Sequence, residues 1–159
     1  MLIRSAAPGD CDAVAAMVGE LAALFGVTAG TTGDILRAEA FGEAPRIGIV
    51  VAEATEGGLA GYLVHQDSFS TWRGANGVFV VDLYVAPPWR NDRIGIRLLA
   101  EAARRGRRRG ARFMRLDLDA GNEAGLRFYR RHGFRTLDHD RFLVLDEPGF
   151  IDLAETSGA

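Results

Sequence analysis

The sequence predicts one α/β (α+β) domain in which a mixed sheet is covered by helices on both faces. Three observations favour this class. The 159 residues are enough for one domain with a single core. Hydrophobic residues make up 48% of the chain and charged residues 25%, which is typical of globular proteins. Helical and strand patterns alternate along the second half, so we expect a domain over 1–147 and a loosely held tail over 148–159.

Turn residues and hydrophobic periodicity locate the individual elements. The first helix carries Val14, Met17 and Leu21 on one stripe and follows a turn at 8–10 that supplies its N-cap. Pro87 ends the third long strand, because proline cannot donate to a strand ladder. The predicted order is a strand at 2–6, helices at 11–25 and 33–41, strands at 47–54, 59–66 and 78–86, a helix at 93–108, a strand at 112–119, a helix at 122–132, and closing strands at 134–137 and 141–145.

Cysteine and histidine usage argues against disulfides and metals. Cys11 is the only cysteine, which excludes an internal disulfide and suits a reducing compartment, so we expect a cytoplasmic protein. The three histidines, His65, His132 and His139, lack metal-ligand spacing, and no metal is expected. No apolar stretch approaches the roughly 20 residues that span a bilayer, so we expect neither a membrane span nor a signal peptide.

Positive charge is concentrated in the second half of the chain. Residues 90–141 hold 15 arginines and seven acidic residues, although the net charge of the whole chain is −2. An arginine-rich segment suits phosphate groups, and both a nucleic acid and a phosphorylated cofactor fit this observation. The densest run, at 104–112, has no interleaved aromatic residues that could stack on bases. We therefore favour a solvated helix end there and expect no nucleic-acid partner.

The first motif runs over 81–99, where a strand leads through a short loop into a helix. The first amides of a helix have no partner within it, and with the helix dipole they suit a phosphate. Arg90 and Arg93 add positive charge at this point. The alternative interpretation is a plain turn with solvated arginines.

The second motif runs over 117–134. Asn122 is placed to cap the following helix by accepting a hydrogen bond from a free amide. Leu126, Tyr129 and Gly133 then share one face of that helix. By itself, Tyr129 is most simply an aromatic core residue with its hydroxyl at the rim.

Taken together, the two motifs resemble those of the GCN5-related N-acetyltransferase (GNAT) superfamily. RNDRIG at 90–95 resembles its acyl-CoA loop, and the Asn-then-Tyr helix ending in Gly133-Phe134 resembles its second motif. The chain is most similar to the diamine (spermidine/spermine) acetyltransferase branch, through FGE at 41–43, TWRG at 71–74, DLYV at 82–85 and FYRRHGF at 128–134. The resemblance implies a GNAT-type fold, with a central mixed, mostly antiparallel twisted sheet flanked by helices on both faces.

The resemblance also implies acetyl-CoA as co-substrate, with no metal. Its pantetheine would lie along the strand that contains 82–86, and its pyrophosphate on the amides of the following loop. The implied cofactor-binding residues are Leu83, Tyr84, Val85, Arg90, Asn91, Asp92, Arg93, Ile94, Gly95, Ile96, Asn122 and Tyr129.

The implied reaction is direct attack of an amine on the thioester. An aliphatic amine has a pKa near ~10.4, so a base must remove a proton at neutral pH. Asp82 and Asp117 are the candidate bases, directly or through water. A strand amide, that of Leu83 or Tyr84, would stabilise the oxyanion, and Tyr129 would donate to the leaving sulfur.

The sequence departs from the pattern of the diamine branch at positions that affect which acceptor amine is expected. Val81 stands where the branch has an acidic residue, and Leu24-Phe25 where it has Tyr-Glu, so we expect a less cationic acceptor than spermine. The predicted acceptor-binding residues are Leu24, Phe25, Val81, Asp82 and Asp117. The predicted function is acetylation of a primary amine of a small molecule, diamine-like or amino-acid-like, by a homodimer without a membrane partner. The alternatives are a non-catalytic acyl-CoA-binding module and an acetyltransferase for a protein N-terminus or an aminoglycoside.

Overall fold

The computed structural model describes residues 1–137, 141 and 143–155. Short 3₁₀ turns at Pro8–Asp10 and Pro87–Trp89 precede the first and third helices. In chain order the described elements are β1 Leu2–Ser5, α1 Cys11–Ala23, α2 Gly33–Phe41, β2 Gly48–Glu53, β3 Leu59–Ser70, β4 Ala75–Val85, α3 Ile94–Arg108, β5 Ala111–Leu116, α4 Glu123–Arg131 and α5 Gly149–Glu155.

The chain divides into two compact units, Met1–Ala120 and Gly121–Ala159. The first unit contains a five-stranded sheet in the order β1-β2-β3-β4-β5. Neighbouring strands are antiparallel except for β4 and β5, which run parallel and are joined through α3. This mixed, mostly antiparallel sheet confirms the predicted fold class.

Helices cover both faces of the sheet within the first unit. On one face, α1 and α2 bury a core that includes Cys11 and Val14 of α1 together with Val51, Tyr62 and Tyr84 of the sheet. Cys11 is therefore the small buried residue that its position in the sequence suggests, and burial raises the pKa of its thiol.

The opposite face is covered by α3, which presents Leu98, Leu99 and Ala102 as buried residues. The approach of helix and strand is close at Gly106, where an added Cβ would lie 2.2 Å from Cγ2 of Val78. Glycine suits this position because a Cβ would overlap the side chain of Val78.

A β-bulge interrupts β4 at Val81. Val64 pairs with Asp82, but the next residue of β3, His65, pairs with Val80, so Val81 is an extra residue on β4. Because of this shift, Val80 points to the α3 face, whereas Asp82 and Tyr84 point to the α1 face. The bulge therefore changes which face of the sheet receives the polar residues of the DLYV segment.

The predicted closing strands are wrong for the part of the chain that the structure describes. Residues 134–137, 141 and 143–145 are not in strands, and residues 138–140 and 142 lie outside the described residues. Leu137 and Leu143 are 41% and 88% exposed, so their alternation does not mark a buried face. A strand needs a neighbouring edge to satisfy its backbone, and an alternating pattern alone does not supply one.

Other boundaries differ by a few residues. The strand β3 extends to Ser70 and β4 begins at Ala75, so both strands are longer than predicted. Polar residues continue the pairing of the two strands beyond the hydrophobic run. The fifth strand ends at Leu116, three residues before its predicted end. The predicted tail contains α5, so this segment is not without secondary structure. The division into a domain at 1–147 and a tail stays a prediction. None of the described helices has the length and apolar character needed to cross a membrane.

Candidate active site

The C-terminal half of β4 has an unpaired backbone edge. The parallel ladder with β5 ends at the pair Val80 and Leu116, and beyond the bulge residues 82–85 pair only with β3 among the described residues. The bulge lies at this point, and bulges commonly end the pairing of a strand. The free edge presents backbone amides and carbonyls that an extended amide-bearing chain can join as an additional strand.

Asp82 lies directly after the bulge, on the α1 face of the sheet. It is half-buried, and this burial raises the pKa of its carboxyl group above the usual value. A raised pKa brings a carboxylate closer to the range in which it can accept a proton and release it again at neutral pH. The side chain therefore has the properties of a general base.

Tyr84 lies two residues further along the same face and connects the sheet to α1. It is 5% exposed, and its hydroxyl donates a hydrogen bond to Oε2 of Glu20 over 2.7 Å. Glu20 was not predicted as a site residue. The spacing could have indicated it as a site residue, because Glu20 lies one helical turn before the predicted acceptor residue Leu24 and on the same side of α1.

Tyr62 is the second aromatic residue of this group. It is fully buried, and its ring centroid is 6.2 Å from that of Tyr84. Its hydroxyl has no hydrogen-bond partner within the described residues. Burial raises the pKa of Tyr62, and the nearby charge of Asp82 raises it further, so the phenol stays neutral. Tyr62 was also missed, because an apolar strand pattern does not distinguish a core tyrosine from a functional one.

The loop from β4 to α3 has the backbone expected of an anion site. Asn91 and Arg93 adopt left-handed conformations, with φ of 73° and 58°. Arg93 is the N-cap of α3 and makes no side-chain capping hydrogen bond. The first amides of this 15-residue helix, from Ile94 onward, have no acceptor within the helix. Arg93 thus takes a left-handed conformation that costs a residue other than glycine roughly 1–2 kcal/mol.

Arg90 connects this loop to the strand. Its Nε donates to the carbonyl oxygen of Val85 over 3.0 Å, and its guanidinium carbon lies 5.9 Å from the centroid of the Tyr84 ring. A cation over an aromatic face is attracted by the ring quadrupole. Arg90 is exposed, so its positive charge is available to an anion at the start of α3.

In the second unit, Asn122 caps α4 as predicted. Its Oδ1 accepts a hydrogen bond from the amide of Gly125 over 2.8 Å. The same geometry excludes a side chain at Gly125, whose added Cβ would lie 2.8 Å from the Asn122 amide nitrogen.

The other end of α4 closes around Tyr129. The amide of Phe134 donates to the carbonyl of Tyr129 and the amide of Gly133 to that of Arg130, which together form a Schellman motif with Gly133 at φ 87°. The half-buried Tyr129 ring makes edge contacts with Phe128 and Phe134 at centroid distances of 5.1 and 5.3 Å. Its position on α4 is therefore fixed by the Gly-Phe sequence that follows the helix.

The remaining predicted acceptor residues are in less enclosed positions. Asp117 follows β5 and is exposed, and Val81 is 44% exposed at the bulge. Leu24 and Phe25 follow α1 and are 63% and 44% exposed. The structure thus places Asp82 and Tyr84 on one face of β4, and Arg90 over the ring of Tyr84. The predicted roles of all these residues, and of Asp92, Ile94, Gly95 and Ile96, stay predictions.

The described residues hold no group of three or more histidines, cysteines or acidic residues that could bind a metal. The model of the acetyltransferase (GNAT) family matches residues 16–134. The chain belongs to the GNAT acetyltransferase family. The predicted family, fold and N-acetyltransferase class are thereby confirmed.

Curated relatives give the same assignment. The thialysine N-epsilon-acetyltransferase of Sus scrofa is 31% identical over 146 residues, which are 86% of this chain and 85% of that protein. The thialysine N-epsilon-acetyltransferase of Bos taurus is 29% identical over 146 residues, with the same coverage of 86% and 85%. Among solved structures, an integron cassette protein from the mobile metagenome of V. cholerae has a TM-score of 0.80 at 16% identity and covers 98% of both chains. That last likeness is one of fold.

Proposed function

We propose that this GNAT enzyme transfers the acetyl group of acetyl-CoA to a primary amine of a small molecule, diamine-like or amino-acid-like. The observation that carries the proposal is Asp82, a half-buried carboxyl group with a raised pKa beside an unpaired strand edge. The family supports acetyl transfer, and the relatives are acetyltransferases for thialysine, a small amine-bearing molecule.

The residues present fit the predicted co-substrate. The free edge at Leu83, Tyr84 and Val85 offers backbone hydrogen bonds to an extended chain that contains amides, as pantetheine does. The first amides of α3 and the guanidinium of Arg90 offer positive potential to a pyrophosphate. When bound, acetyl-CoA would supply an activated thioester carbonyl.

Asp82 is the better supported of the two candidate bases. The incoming ammonium must lose a proton before it can attack a carbonyl carbon. Asp82 is partly removed from water, whereas Asp117 is exposed after β5. The raised pKa of the half-buried Asp82 carboxyl group suits it to accept a proton, so Asp82 accepts the proton, directly or through one water.

The chain also provides groups for the oxyanion and the leaving thiolate. An amide of the free edge, that of Leu83 or Tyr84, would donate to the developing oxyanion. Tyr129 would donate to the leaving sulfur. With a thiol pKa near ~8.5 and a tyrosine near ~10, full proton transfer is uphill by roughly 2 kcal/mol. Tyr129 therefore stabilises the thiolate by a hydrogen bond as much as by protonation.

We also propose an apolar acceptor side, a homodimeric assembly and a cytoplasmic location. Leu24, Phe25 and Val81 give the acceptor side an apolar character, which suits the carbon chain of a small amine. A homodimer is proposed from the similarity to the diamine branch, and a cytoplasmic location from the single cysteine of the chain.

The proposed function is tested by measuring both the binding of acetyl-CoA and the turnover of candidate amines. Titration calorimetry with acetyl-CoA is followed by a thiol-release assay over diamines, amino acids and aminoglycosides. We expect micromolar binding and thiol release with a diamine or diamino acid, and a much larger loss of turnover in Asp82→Asn than in the matched variant Asp117→Asn. Binding without thiol release on any amine would favour the non-catalytic module, and release on aminoglycosides alone would replace the proposed acceptor.

A further inference from the structure

A cavity of about 280 Å³ lies in the first unit, at the point where β2 begins beside β3. Gly48, the first residue of β2, pairs with His65, whereas β3 continues to Ser70. Beyond His65, the residues of β3 therefore pair only with β4 within the part of the chain that the structure describes. Pro45 and Ile47, which precede β2, line the cavity and give it an apolar wall. Its volume corresponds to roughly nine water molecules at ~30 Å³ each, which is room for a small metabolite.

His65 lines this cavity and carries unmet hydrogen bonds. The residue is 4% exposed, and neither ring nitrogen has a partner within the described residues. The imidazole is packed against the backbone of Gly48, where an added Cβ would lie 2.5 Å from Nε2. Buried polar groups in native proteins nearly always have a partner, so this imidazole indicates a bound molecule or an ordered water. A neutral imidazole offers such a partner one N–H donor and one nitrogen acceptor.

Two arginines line the same cavity and have hydrogen-bond donors to spare. Arg109 is the C-cap of α3 and donates to Asp67 through Nε and Nη2, the latter over 2.8 Å to Oδ1. Arg46 donates to Glu39 through the same two nitrogens. The two ion pairs hold the guanidinium groups in position, and the Nη1 group of each arginine makes no hydrogen bond within the described residues. The cavity therefore presents N–H donors that a ligand oxygen can use.

The charges around His65 favour an anion over a cation. Burial lowers the pKa of His65 and Arg109 lowers it further, Asp67 opposes this effect, Arg105 adds to the decrease, and the resulting pKa is about 4. Two positive groups and one negative group thus act on the imidazole, and positive potential prevails there. A second negative charge on a ligand would meet Asp67 at the same cavity, so a monoanion suits this balance better than a dianion.

We propose that this cavity binds a small monocarboxylate. Its oxygens accept from Nη1 of Arg109 and from the N–H of the His65 imidazole, and its short apolar part lies against Pro45 and Ile47. Arg109 directly follows the 15-residue helix α3, about 22 Å along the axis from the start of that helix. The cavity is therefore separate from the first amides of α3, where the pyrophosphate is proposed to lie.

The experiment titrates phenylacetate into the full chain and follows the imidazole nitrogens of His65 by heteronuclear NMR at pH 7. The signals are assigned by elimination with His132→Gln and His139→Gln, so that His65 itself is left unchanged. We expect them to shift to saturation with a Kd on the order of 1 mM, as is ordinary for a probe of this size. The neutral 2-phenylacetamide has the same shape without the charge and should bind at least about tenfold more weakly.

Arg109→Gln tests the role of the arginine, and Arg104→Gln is the matched control. Arg104 lies on the same helix and also donates to a carboxylate, that of Glu101, through Nε and Nη2, but it does not line this cavity. Both arginines are exposed, so both variants should fold. We expect Kd for phenylacetate to rise at least about tenfold in Arg109→Gln and to stay unchanged in Arg104→Gln.

His65 signals that do not move at any phenylacetate concentration overturn the proposal and leave an ordered water as the partner of the imidazole. Equal affinities for phenylacetate and 2-phenylacetamide also overturn it, because the carboxylate would then not be recognised. An equal loss of affinity in the two arginine variants has the same consequence, since Arg109 would then not hold the ligand. None of these outcomes depends on turnover, so the proposed acetyl transfer stands or fails separately.

Discussion

His65 makes the stability of the folded chain sensitive to mild acid. It lies on β3, is 4% exposed, and neither ring nitrogen has a hydrogen-bond partner within the described residues. Burial lowers the pKa of His65 to about 4, with a further decrease from Arg109 and Arg105 and an opposing effect of Asp67. The usual value for an exposed histidine is 6.5.

The sign and size of the effect follow from proton linkage. Between pH 6.5 and pH 4 the unfolded chain binds a proton at His65 that the folded chain does not, so stability is lost as the pH falls through this interval. With these two pKa values, His65 lowers the free energy of unfolding by about 2 kcal/mol between pH 8 and pH 5.

The measurement is urea unfolding of the original protein and of His65→Leu at pH 8 and pH 5. Leucine fills a similar buried volume and cannot titrate. Carboxyl groups with lowered pKa, such as Asp10 and Glu101, titrate in both proteins and cancel in the comparison. We expect the original protein to lose about 2 kcal/mol more than the variant between the two pH values. Equal losses would refute the argument, because they would mean that His65 keeps an ordinary pKa in the folded state.

Four further substitutions test the site. Tyr129→Phe should lower kcat roughly 100-fold while acetyl-CoA affinity changes little; unchanged turnover in steady-state assays would remove Tyr129 from the mechanism. Arg90→Ala should weaken acetyl-CoA binding by about tenfold in titration calorimetry, and unchanged affinity would contradict its role at the pyrophosphate. Tyr62→Phe should raise the free energy of unfolding of the ligand-free enzyme by about 1 kcal/mol, because it removes an unpaired buried hydroxyl; a decrease would show that the hydroxyl has a partner. Arg93→Gly should stabilise the fold by about 1 kcal/mol in thermal unfolding, since glycine tolerates the left-handed conformation, and a loss of stability would exclude strain at this residue.

Local signals were enough to predict most of the fold. The helix α2, with a threonine N-cap and a glycine at its end, matches the predicted range of 33–41. The end of α4 was also predictable from the sequence, since Gly133 supplies the positive φ that the motif at the end of the helix requires. These features depend on residues close together in the chain, and local sequence specifies them.

Features that depend on pairing between distant residues were not predictable in the same way. Strict alternation along β4 would put Val80 and Asp82 on one face, and only the register with β3 shows that Val81 intervenes. Glu20 was missed for a related reason, because its partner Tyr84 is 64 positions away. The closing strands failed because an alternating pattern does not reveal whether a neighbouring edge exists.

The bulge at Val81 also indicates how an enzyme of this kind could lose its activity through the deletion of one residue. If Val81 were deleted, the ladder between β3 and β4 would become regular, and Asp82 and Tyr84 would still face α1. The bulge that lies at the end of the β4-β5 ladder would be gone, so the two strands could continue their parallel pairing and close the free edge. A single-codon deletion would then leave Asp82 on the same face of the sheet and still remove the backbone edge on which a co-substrate can lie. In this family, gaps in an alignment at this strand therefore carry as much information about activity as changes in the acidic residues beside it.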